Sequence, residues 1–210
     1  RNKKVSIMAM SLGFVIATRM LQKYPELVKK VDFLVSIVGF AHHDDFVFSK
    51  RRVRIYKMGS WFFSRRIPAL FFRYVVLHPY FLNRAYHKTR NAREKFADIS
   101  GDEFRRTMEM EIKLWHSNDV RTQFRHNVEM FNLDNTKMRI DLPVYHVASR
   151  HDRYFDNVRV EEHMRRVFKD FNIYFMKSHN HAPTIIATAK DAAPFVPKAL
   201  RQVIIGSKKK

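Results

Sequence analysis

The feature that most constrains the fold is residues 4–13. A short apolar run through Val5, Ile7 and Met8 enters Ala9-Met10-Ser11-Leu12-Gly13 and continues at once into a helix-like sequence. A serine placed at a sharp strand-to-helix turn takes up a strained backbone, so the positions two residues either side must be small. Ala9 and Gly13 satisfy that demand. The helix that follows aims its unsatisfied N–H groups and the positive end of its dipole at the serine, and the backbone amide of Leu12 becomes a donor for a developing oxyanion. Residues 12–21 read as this helix, and Tyr24-Pro25-Glu26 closes it. A second apolar run, residues 33–39, reads as a buried strand, so strand, turn, helix and strand make a βαβ unit.

The far end of the chain carries two more polar turns behind apolar strands. Residues 143–149 form a Pro-led apolar run that empties into Arg150-His151-Asp152. Residues 158–168 are helix-like, residues 172–176 read as another strand, and Ser178-His179-Asn180-His181-Ala182-Pro183 follows. Loops at the carboxyl ends of parallel strands are where a rigid sheet holds reactive groups. Ser11, Asp152 and His181 then stand in the order nucleophile, orienting acid, base. Asp44 or Asp45 is the alternative acid and His179 the alternative base. Asp156, just ahead of a helical run, reads as a helix N-cap.

On these residues the chain resembles the α/β-hydrolase family, of the serine esterase and lipase kind. The resemblance spans residues 3–41 and 141–205 and is poor between them. It implies an α/β fold: a partial α/β-hydrolase, with a parallel sheet, flanking helices and an inserted helical cap. The expected organisation is a core segment over residues 1–41 with the elbow, a cap over 42–140, and a core segment over 141–210 with the acid and histidine. The resemblance further implies a catalytic triad of Ser11, Asp152 and His181, with the Leu12 N–H in the oxyanion site and hydrolysis of a small-molecule ester through an acyl-enzyme, without cofactor or metal. Lesser departures from the family's pattern are Ala9 in place of the first glycine of the elbow and Phe14 in place of a frequent small residue. The chain also starts a few residues before what would be the family's fifth strand. It is therefore expected to be the carboxyl-terminal part of a longer protein, with the missing amino-terminal half required as a partner.

Composition fits a globular chain of 210 residues that is 46% hydrophobic and long enough to bury a sizeable core. There is no cysteine, which excludes disulfides and thiolate metal sites and fits a reducing, cytoplasmic setting. The basic start at residues 1–4 lacks the pattern of a signal peptide, and no apolar run reaches the roughly 18 residues of a spanning helix.

Charge is the unusual property. Forty Lys and Arg stand against twenty Asp and Glu, a formal net charge of +20. Residues 46–93 contain no acidic residue, while Arg51, Arg52, Arg65, Arg66 and Arg73 alternate there with Trp61, Phe62, Phe63, Phe71, Phe72 and Tyr74. Helices with basic edges and bulky apolar faces suit a cap over a site, or peripheral contact with an anionic membrane. A nucleic-acid partner is disfavoured because no recognition module accompanies the pattern. The alternative to an enzyme is a non-catalytic basic module binding an anionic membrane or polyanion through this segment.

Two further motifs have plain readings. Phe104, Met108, Ile112 and Trp115 recur at helical spacing, and Met108, Met110 and Met130 are expected to fill core gaps. His42-His43-Asp44-Asp45 has the composition of a metal site. On an extended strand end, however, neighbours point to opposite sides and do not converge.

Overall fold

The computed structural model describes residues 4–88, 101–177 and 188–207. The chain divides into two compact units. One joins Arg1–Ser49 to Asn132–Lys210, and the other is Lys50–Phe131. Residues 42–49 and 132–140 thus belong with the sheet-bearing unit.

That first unit is built on four parallel strands in the order β1 (Val5–Met10), β2 (Val31–Ile37), β3 (Val144–Ala148) and β4 (Phe171–Phe175). Parallel neighbours need crossover connections. Helix α1 (Leu12–Lys23) and a 3-10 turn (Pro25–Lys30) join β1 to β2. The apolar stripe Phe14, Val15, Thr18 and Leu21 is buried, and Lys23 is the last residue of α1 before Tyr24-Pro25. All of β2 except Asp32 is buried, the continuous apolar reading of a central parallel strand. On one face Phe33, Val35 and Ile37 pack with Val147, Met176 and Leu200. On the other, Phe14 of α1 meets Phe168 at 5.9 Å between ring centroids.

Further along the chain, Asp156 caps α7 (Asn157–Val167) by accepting from the N–H groups of Val158 and Arg159, as an N-cap should. The last helices described are α8 (Ala189–Ala192) and α9 (Lys198–Ser207).

The second unit is all helical: α2 (Lys50–Phe63), α3 (Arg66–Phe71), a π-helical turn (Phe72–Val76), α4 (Pro79–Lys88), α5 (Gly101–Ser117) and α6 (Val120–Met130). Its core is Ala69, Leu77, Leu82 and Val120, with Ile112, Trp115, Phe72 and Phe124 packed against it. Met108 is buried. Phe63 stacks on Phe124 at 5.2 Å. Among the five arginines singled out by charge, Arg51, Arg52, Arg65 and Arg66 are exposed. Arg73 is half-buried and donates to the His116 carbonyl at 3.2 Å. Aromatic residues split the same way: Phe63 and Phe72 face inward, while Trp61, Phe62, Phe71 and Tyr74 are exposed. No described helix is long and apolar enough to cross a membrane.

Candidate active site

Ser11 sits between the end of β1 and the first residue of α1 with φ 47° and ψ −119°. A serine in the left-handed half of backbone space costs on the order of 1–3 kcal/mol and persists only where its surroundings hold it. Here they do. The Ser11 N–H donates to Ile37 O at 2.9 Å, and Ser11 O accepts from the Phe14 N–H at 3.0 Å, so the turn is tied to β2 on one side and to α1 on the other. Leu12 opens α1, which puts its amide beside the serine at the helix amino terminus.

A second strained residue lies next to the first. Val38 leaves β2 at φ 45°, and with Ser11 it makes up the non-glycine positive-φ residues described. Its N–H donates to Val147 O at 2.8 Å, and the Met176 N–H reaches Ala148 O at 3.0 Å. The carboxyl ends of the four strands therefore line up as Ser11, Val38, Ala148, Met176. Gly39 follows because nothing larger fits: an added Cβ would lie 2.3 Å from Ser36 Oγ and 2.6 Å from Phe14 Cδ1.

Asp152 stands in the turn after β3, at the same end of the sheet as Ser11. Its Oδ1 accepts from the N–H groups of Tyr154 at 2.8 Å and Phe155 at 3.1 Å, which pins that oxygen in the turn. This loop is zipped to the one after β2: Val47 N–H donates to Tyr154 O, Asp156 N–H to Asp45 O, and Phe40 stacks on Phe155 at 4.6 Å. Below Asp152, in β3, His146 is buried and shares a 2.9 Å hydrogen bond with Ser36 of β2. Burial pulls the His146 pKa down to about 4, and the Asp152 charge only partly opposes it. His146 is thus a neutral ring in the core, between β3 and β2.

The proposed base His181 and its competitor His179 both lie outside the described residues. Asp45, the alternative acid, is fully buried and already engaged. Its Oδ2 accepts from the N–H groups of Ala41 and His42 at 2.8 and 2.9 Å, and its Oδ1 takes the Nδ1–H of His163 at 2.5 Å.

That pair overturns one expectation. Residues 42–45 are not an extended strand end: His43–Asp45 form a 3-10 turn with His42 as its N-cap, and the turn wraps neighbouring side chains onto one side. Donor atoms of His42, His43 and Asp44 come within 4.8 Å of one another. His163, from α7, packs beside the group, its ring 4.4 Å from that of His42. Burial first, then the charges of His43 and His163, push the His42 pKa below its ordinary value. Sequence reasoning missed His163, whose signal was slight: it stands beside Met164 on the rim of the buried stripe Val160, Met164, Val167.

No protein-family model matches this chain, and no curated protein matches it in sequence. Solved structures do. A hydrolase from Oleispira antarctica matches with TM-score 0.58 at 11% identity, over 99% of this chain and 66% of its own. A thermophilic esterase from Thermogutta terrifontis gives 0.56 at 11% identity, over 98% and 66%. An α/β-hydrolase enzyme from a Medee basin deep-sea metagenome library gives 0.53 at 13% identity, over 99% and 66%. The chain thus spans 66% of the length of each of these three proteins, just under two thirds. Likeness at so low an identity speaks to architecture alone, and on that ground the chain has the α/β-hydrolase fold.

Proposed function

We propose that this chain carries the catalytic centre of a serine hydrolase acting on a carboxylic ester with a lipophilic part. The observation behind the reading is the φ of 47° at Ser11, a strained serine at the carboxyl end of a strand and the amino end of a helix. In this reading Ser11 Oγ attacks the ester carbonyl carbon while His181 takes its proton. The Leu12 N–H donates to the oxyanion. The carbon–oxygen bond to the alcohol breaks, and His181 returns the proton to the leaving oxygen. Water, deprotonated in turn by His181, then releases the acid and regenerates Ser11. Asp152 holds the imidazole in the required tautomer. Further polypeptide ahead of β1 is part of the proposal: among the described residues β1 is a sheet edge, and it exposes Val5, Met8 and Met10.

A fluorophosphonate probe tests the nucleophile. Labelling mapped by peptide mass to Ser11, and lost in Ser11→Ala, is the expected result. Labelling elsewhere, or none in protein extended by the preceding polypeptide and shown to be folded, overturns the reading.

A second reading rests on the outer side of α2, where Ile55, Met58 and Phe62 are exposed at helical spacing beside Arg51, Arg54 and Lys57. Basic residues framing exposed apolar side chains suit an anionic bilayer surface. Co-sedimentation with phosphatidylglycerol vesicles, weakened by salt and absent with phosphatidylcholine, is the result this reading expects. Equal binding to both lipids, or to neither, removes it.

A further inference from the structure

We infer that the turn after β2 is a divalent-cation site made by His42, His43 and Asp44, separate from the serine chemistry. Two imidazoles and a carboxylate are a donor set suited to a first-row ion such as Zn2+ and poorly suited to Mg2+, which takes oxygen donors. The spacing fits. His43 Nε2 lies 3.7 Å from Asp44 Oδ1, and His42 Nδ1 lies 3.7 Å from Asp44 Oδ2. Bonds of about 2.0–2.2 Å in tetrahedral geometry hold neighbouring donors roughly 3.3–3.5 Å apart; one donor atom from each of the three residues lies within 4.8 Å of the others, so binding an ion draws these side chains inward by about an ångström.

The surroundings of these donors are those a metal site needs. His43 donates its Nδ1–H to Leu133 O at 2.9 Å, a contact from outside the cluster. That bond fixes the tautomer with a lone pair on Nε2, the nitrogen turned toward Asp44, and it is the outer-shell contact ligating histidines usually make. Asp45 anchors the turn from beneath by accepting the Ala41 and His42 amides. Its bond to His163 holds that ring against His42, which is itself half-buried. His42 Nδ1 accepts from the Asp44 N–H at 3.1 Å, and an ion arriving at Nδ1 takes the place of that long bond. Three protein donors leave at least one coordination position for water or another ligand.

Isothermal titration of the full chain, stripped with chelator, with Zn2+ decides the matter without reference to ester turnover. The expected result is one saturable site. Its affinity falls about tenfold or more in His43→Ala and in Asp44→Asn. It stays unchanged in His126→Ala, an exposed histidine on α6, and is not competed by Mg2+. Asp44 is exposed, so Asp44→Asn keeps the test valid if His43→Ala proves unstable; thermal unfolding without metal identifies that case. No saturable binding, unchanged affinity in Asp44→Asn, or an equal loss in His126→Ala overturns the proposal.

Discussion

At the scale of single residues, Ser11 is the position where stability has given way to something else. Its φ of 47° lies in a region that glycine enters freely and a serine enters only under restraint. Ser11→Gly is therefore expected to raise folding stability by about 1 kcal/mol, the relief of strain exceeding the extra chain entropy of glycine. Urea unfolding of the two proteins at neutral pH measures this, and a lower midpoint for the glycine variant would mean that the turn is not strained. The prediction is independent of which ester is cleaved, or whether any is. Gly39 is the converse case. There the small residue is required by packing, because Phe14 and Ser36 already fill the space a Cβ would take. Gly39→Ala pushes a buried ring against the sheet and is expected to cost about 1–3 kcal/mol in the same assay.

At the scale of elements, β2 and β3 carry the pH dependence of the sheet. Burial holds His146 near 4 in the folded chain against 6.5 for a free imidazole. Between those values the unfolded chain binds a proton that the folded chain refuses. Stability from this group is therefore complete above about pH 6.5, falls as pH drops toward 4, and changes no further below it. The loss amounts to about 3 kcal/mol. Urea midpoints from pH 7 to 4 should fall steeply, and His146→Gln should flatten the curve, with His42 leaving a residual slope of the same sign. Much of this element structure was legible in the sequence, because apolar runs and small residues at fixed offsets are local signals. β1, Ser11 and α1 could be read from residues 4–21, and Asp156 announced α7. What escaped depends on partners far along the chain. The turn at residues 42–45 curls because Asp45 bonds its own amides and His163, 118 residues away. The helical spacing of residues 102–131 hid a break at Ser117, where Asp119 caps α6 through the Thr122 N–H. Of the candidate site, Ser11 follows β1 and Asp152 follows β3, both at the carboxyl ends of parallel strands. His181 lies outside the described residues.

At the scale of the whole molecule, the described sheet stops at β1 with apolar side chains in solvent. Val5 is 56% exposed and Met8 54% exposed, on opposite faces of the same edge strand. An edge of this kind presents unpaired N–H and C=O groups beside a hydrophobic surface, which recruits another strand. Natural edges are blunted by charge, and the strongly basic composition of this chain places none within β1: Lys4 precedes it and Arg19 follows. The isolated chain is accordingly expected to self-associate with rising concentration despite its net charge of +20, since repulsion spread over the molecule does not protect one bare edge. Light scattering coupled to size exclusion, run as a dilution series, reads the association directly. Met8→Lys puts a charge in the middle of the edge and should shift the population toward monomer. Charge reversal at Arg51 and Arg52, in the helical unit, should leave it unchanged. If instead the α2 substitutions control association and Met8→Lys does not, the exposed aromatic side of the helical unit is the adhesive surface, and β1 needs no partner to remain soluble.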